Sequence, residues 1–175
     1  MGGTDMFGFF NKTVKEYKLG YKLYGLKQYK EAFPHLQYAA EKGHIESQFL
    51  VGDCYDNGYG IVEDVKKAMK WYEKAGNQGH AESQYRLGMM YADVMGMLAL
   101  ASYNSDKSNK DKKLFNDEIF DGIASTLTKW ASDPKESSGF EKSRDDIEAK
   151  TEKWLCAAAK QGHKLAQKEY KDLFE

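Results

Sequence analysis

The chain has 175 residues, 41 % hydrophobic and 30 % charged, with a net charge of −1, which is the length and balance of one folded domain. A charge this close to zero excludes a global field that would draw it to nucleic acid or to an anionic membrane. Only two prolines are present, and Lys, Glu, Ala, Leu and Tyr dominate, so helix is the favoured class.

The first ten residues, MGGTDMFGFF, lack the basic start and long apolar core of a secretory leader. Met6 stands where a myristoylation signal needs Ser or Thr. The stretch YKLGYKLYGLKQYKEAFPHLQYAAEKG (17–43) then reads as two antiparallel helices, the first carrying Tyr17, Leu19, Gly20 and Leu23. The same pattern returns with Phe49, Val51, Gly52 and Tyr55, and again with Tyr85, Leu87, Gly88 and Tyr91. Glycine in mid-helix costs about 1 kcal/mol relative to alanine. Three at one register therefore predict a neighbouring helix too close for a side chain. The second helices carry Trp71-Tyr72 or Trp154-Leu155 and then small residues, large against small.

Gly-His pairs set the period. They fall at 43–44, 79–80 and 162–163, so the first step is 36 residues and the second 83, longer by 47. Gly52 to Trp71 is 19 residues and Gly88 to Trp154 is 66, longer by the same 47. The chain thus divides into repeats at about 12–43, 44–79 and 80–92 with 145–162, a final helix at 163–174, and a helical insertion at 93–144, all within a single domain, 1–175. Asp64 is expected to cap the helix starting at Val65, and Asp145 or Asp146 the helix before Ile147. Gly43, Gly79 and Gly162 are expected to end helices in a left-handed conformation, and Asp56 to Gly60 (DNGYG) to form a turn.

Within the insertion, DVMGMLALASY (93–103) continues the preceding helix and NSDKSNKDKK (104–113) is polar. LFNDEIFDGIASTLTKW (114–130) spaces Phe115, Ile119, Ile123, Leu127 and Trp130 as an amphipathic helix. Its apolar face needs a cover: the 93–103 helix in an internal hairpin, the chain's own groove, or another molecule. The longest apolar run, 87–101, is broken by Asp93 and too short to span a bilayer.

The segment LVGDCYDNGYGIVEDVKKAMKWYEKAGNQGHAESQYRLG (50–88) resembles the Sel-1-like repeat family, a branch of the tetratricopeptide-like helical repeats. The resemblance extends over about 17–92 and 145–173. Departures are the short first connection, Gly76 for the usual Ala, Thr151 at another Ala position, and the insertion. The resemblance implies an all-α, right-handed α-α superhelix or solenoid of about three two-helix repeats with a C-terminal capping helix. It also implies a concave face lined by the first helices, where partners bind.

Chemical motifs are weak. The repeat separates the Gly-His histidines by at least a helix spacing of ~8–10 Å, whereas zinc needs donors at about 2 Å; they read as helix-start residues, and no metal or cofactor is expected. GYGIVE follows a helix, not the strand a phosphate loop needs, and DCYDNGYGIVED has Tyr55 where a calcium loop needs a ligand. Cys54 and Cys156 fit no CxxC spacing and read as reduced thiols of a cytoplasmic protein. No nucleophile motif is present, so no catalytic residue is assigned.

Setting aside the repeat-defining positions leaves Lys18, Tyr21 and Lys22; Leu50, Asp53 and Cys54; Arg86, Met89 and Met90, each set on one helix face by its i, i+3, i+4 spacing. As a partner-binding surface, Lys18 and Lys22 would meet acidic groups. Tyr21, Leu50 and Met89 would supply apolar area, and Asp53 and Arg86 would set orientation. Phe115, Ile119 and Trp130 would add the insertion's surface. The expected function is a non-enzymatic adaptor or scaffold that binds another protein and is monomeric when free. The alternatives are a bacterial immunity protein neutralising a cognate toxin, and a hydrolase using a groove carboxylate such as Asp53.

Overall fold

The structure, a computed structural model, describes the backbone of residues 4–106 and 144–175 and the side chains of residues 12–96 and 146–175. Among the described residues there are seven helices and no strand: α1 (Thr4–Gly25), α2 (Tyr29–Glu41), α3 (Ile45–Asn57), α4 (Val65–Asn77), α5 (Ala81–Asp106), α6 (Arg144–Lys160) and α7 (Lys164–Phe174). The expected all-α repeat fold is what forms. Two compact units emerge, one of Met1–Leu87 with Trp154–Glu175 and one of Gly88–Lys153.

In the first unit α1 packs on α2, α2 on α3 and α3 on α4. The mid-helix glycines set the spacing. A Cβ on Gly20 would stand 2.8 Å from Leu36 Cγ, and one on Gly52 2.7 Å from the Tyr72 ring. Both are closer than carbon atoms tolerate. Ala32, Leu36, Ala40, Leu50 and Val51 form a buried cluster, ringed by half-buried aromatics that include Phe33, Phe49, Tyr55 and Trp71. Gly76, which departs from the family's alanine, has a physical reason. Its missing Cβ would lie 3.1 Å from Trp154 Cζ3.

The helix ends follow the sequence closely. Gly43, Gly79 and Gly162 have φ of 89°, 89° and 84°. In each case the following histidine amide bonds back to the carbonyl of Ala39, Ala75 or Ala158, which closes the helix in a left-handed cap. Asp64 accepts from the Lys67 amide at 3.0 Å and starts α4. Two expectations need correction. Asp145 and Asp146 do not cap the helix before Ile147, because α6 begins at Arg144. They lie in its first turn, where carboxylates still suit the helix dipole. Asp56 and Asn57 remain in α3, and the reversal begins at Gly58. α1 runs from Thr4 to Gly25.

In the second unit α5 runs unbroken through 93–103. Thr151 is buried, and its hydroxyl donates to the Ile147 carbonyl at 2.8 Å. The helix itself therefore satisfies the polar group at a position where alanine is usual. The expected amphipathic helix at 114–130 lies outside the described residues.

Candidate functional site

The three Gly-His histidines form joints between successive repeats. Nδ1 of His44, His80 and His163 accepts the backbone N–H of Ser47, Ser83 and Ala166, each at 3.2 Å. That bond leaves Nδ1 bare and puts the proton on Nε2. Nε2 of His80 then donates to Glu46 Oε2 at 3.2 Å, and Nε2 of His163 to Glu82 Oε2 at 2.8 Å. Each ring lies against an aromatic of the preceding first helix, with centroids 4.0 Å apart for Tyr17–His44, 4.8 Å for Phe49–His80 and 4.6 Å for Tyr85–His163.

A second set of periodic contacts uses glutamine, which sequence reasoning missed. Gln48, Gln84 and Gln167 donate to the carbonyls of Ala40, Gly76 and Ala159 at 3.2, 2.8 and 3.1 Å. Gln78 donates to Gln48 Oε1, and Gln161 to Gln84 Oε1, both at 2.7 Å. The signal was present in the repeated Ser-Gln and Gln-Gly-His text, but glutamine on a helix is solvated by default. In the first repeat Glu16 replaces the glutamine and pairs with His35 Nδ1 at 2.6 Å.

The candidate binding residues fare differently. Lys18 and Lys22 are exposed, and Tyr21 is 53 % exposed. Leu50 is only 5 % exposed and belongs to the core, contrary to its expected role as open apolar area. Asp53 is also buried; it accepts from the Tyr24 hydroxyl and from Asn57 Nδ2. Cys54 is fully buried, and burial, with the Asp53 charge, pushes its thiol up to about 12. The reason is position in the array. α3 is packed by both α2 and α4, which leaves that register covered, whereas Lys18, Tyr21 and Lys22 at the same register of α1 stay exposed.

Arg86 is half-buried and donates to Glu82 Oε1 at 3.0 Å. Burial alone would raise Glu82, but bonds from His163 and Arg86 hold it below the usual carboxylate range. Asp56, one turn beyond Asp53, accepts from the Tyr72 hydroxyl at 3.3 Å. Burial pushes its carboxyl up, only partly offset by Tyr72 and Arg86. Met89 is half-buried and lies in the second unit. Phe115, Ile119 and Trp130 lie outside the described residues. Asp53, the carboxylate of the hydrolase reading, is already committed to Tyr24 and Asn57. Among the described residues no three His, Cys, Asp or Glu side chains are grouped to hold a metal ion. No described helix is long and apolar enough to cross a membrane.

Paired helices joined at a fixed period by capped histidines and glutamine bonds define an α-helical repeat protein. The Sel1 repeat family model matches residues 16–44, 45–80, 81–93 and 140–163, more than half of the chain, and the protein belongs to that family. Sel1 repeats mediate protein–protein interaction. The chain is 39 % identical over 56 residues to an exopolysaccharide production negative regulator of Rhizobium leguminosarum bv. viciae, covering 32 % of this chain and 21 % of that protein. It is 56 % identical over 32 residues to the chitin synthase regulator SKT5 of Malassezia restricta, covering 18 % of this chain and 2 % of that protein. In structure it is similar to a Sel1 repeat protein from Oxalobacter formigenes, with a TM-score of 0.54 and 24 % identity, over 88 % of this chain and 44 % of that one.

Proposed function

We propose that this chain is a non-catalytic adaptor of the cytoplasm that binds a partner protein on its first helices. The observation that carries this reading is a division of labour along α1. Tyr17 and Gly20 serve the joint and the helix contact, while Lys18 and Lys22 stand outward, and Tyr21, whose ring centroid lies 5.6 Å from that of Tyr17, keeps half its surface open. Two ammonium groups beside an exposed phenol suit an acidic surface with some apolar area. Arg86, half-buried on α5, would add a guanidinium to the basic character of the first helices. Both curated relatives are named as regulators, which supports a role in holding a regulated protein rather than in catalysis.

The test is affinity capture from the native source with the wild-type chain and with a Lys18→Glu/Lys22→Glu variant, read by mass spectrometry. The expected result is one stoichiometric partner held by the wild type and lost from the folded variant. Undiminished capture by the variant would overturn the assignment of this face. A captured toxin would move the reading to an immunity protein.

A further inference from the structure

The three histidine joints are not equivalent. The register position filled by Glu46 on α3 and by Glu82 on α5 is filled by Val14 on α1. His44 keeps the rest of the joint. Its Nδ1 accepts the Ser47 amide, and its ring lies 4.0 Å from that of Tyr17. Its Nε2 therefore carries the proton, and among the described residues no carboxylate meets it. Beside it opens a shallow groove of about 500 Å³, walled by Thr13, Val14, Lys42, Ile45 and Glu46.

We propose that this groove takes a glutamate side chain of a partner protein, whose carboxylate accepts from His44 Nε2 as Glu46 accepts from His80 and Glu82 from His163. The sister joints supply the geometry: the same imidazole atom, in the same tautomer and on the same aromatic support, already holds a glutamate twice in this chain. The walls suit that ligand. Val14 and Ile45, the latter 37 % exposed, offer apolar contact for the glutamate methylenes, and Lys42 adds positive charge. Among the described residues Glu46 is the one acidic group on the wall; its Oε2 is engaged by His80, and its charge also acts on His44. The inference rests on the joints and not on the Lys18–Tyr21–Lys22 face, so either can fail without the other.

The test follows the His44 imidazole by nuclear magnetic resonance on the full chain, titrated with the blocked peptide acetyl-Ala-Glu-Ala-amide. Its glutamine counterpart and acetyl-Ala-Ala-Ala with a free C-terminus serve as the other arms. A saturable shift of Nε2 is expected with the glutamate peptide, at a concentration at least tenfold below either other peptide. Val14→Glu should place a carboxylate on Nε2 from within, moving its resonance toward those of His80 and His163 and abolishing the response. His44→Asn keeps an N-cap acceptor but removes the distant donor, and amide shifts at 42–47 should vanish with it. An equal response to the glutamine peptide, a preference for the free C-terminus, or an undiminished response in either variant would overturn the proposal.

Discussion

His163 Nε2 lies 2.8 Å from Glu82 Oε2, although the two residues are 81 positions apart in the chain. The bond closes a joint of the same design as the one His80 makes with Glu46. The Ala166 amide donates to Nδ1 at 3.2 Å, which leaves Nε2 as the ring nitrogen that donates to Glu82. Replacing His163 by Ala removes both bonds and is expected to cost about 1 kcal/mol, the usual loss for an N-cap. His163→Asn keeps the cap and should recover most of it. Urea unfolding of the three proteins measures both; equal stability of all three would mean that the cap contributes nothing.

Close helix contact is tested at glycine. Gly52→Ala places a methyl group 2.7 Å from the Tyr72 ring and should destabilise by about 1–3 kcal/mol, the range for overpacking. Gly25→Ala is the control, since a Cβ there meets nothing within 4 Å. It should be neutral or slightly stabilising by about 0.5–1 kcal/mol. Thermal melts should separate the two variants clearly.

The glutamine bonds carry a buried polar load. Gln84 donates to the Gly76 carbonyl and accepts from Gln161. Gln84→Leu leaves both groups without their partner, and such orphaning costs about 1–3 kcal/mol. The measurement is the urea midpoint, with Gln84→Glu as a second variant that keeps the acceptor for Gln161 and loses the donor.

Stability should fall with acid, and the sign is set by His44. Burial holds its folded pKa below the free value of about 6.5. As pH falls the unfolded chain takes the proton first, so the stabilisation is complete above the unfolded pKa and is lost as pH passes through the folded one. Glu82, also depressed, loses its contribution in a lower window with the same sign. Asp56 has the opposite sign, because burial raises it. Melting temperatures between pH 7 and 5 should fall in the wild type and fall less in His44→Asn; parallel slopes would contradict the assignment to His44.

The repeats, the glycine contacts and the helix caps were legible because each depends on one residue type at one spacing. Gly20 and Gly52 show their role as soon as two registers are aligned. The candidate surface was only partly legible. The i, i+3, i+4 spacing correctly puts Leu50, Asp53 and Cys54 on one face of α3, but spacing does not say what covers that face. The answer lies in packing, where Tyr24 from α1 reaches Asp53. Asp145 and Asp146 were misjudged because an acidic residue is welcome both at a cap and in the first turn after it.

The stretch 44–79 has the character of an interchangeable cassette. It opens with an imidazole that seeks an aromatic ring and closes on a glycine that hands the chain to another such imidazole. Were it spliced out, His80 would face Tyr17 and Val14, as His44 does today. Whole cassettes can therefore be gained or shed with few mismatched surfaces. A one-residue slip would disturb every imidazole and glutamine partnership downstream.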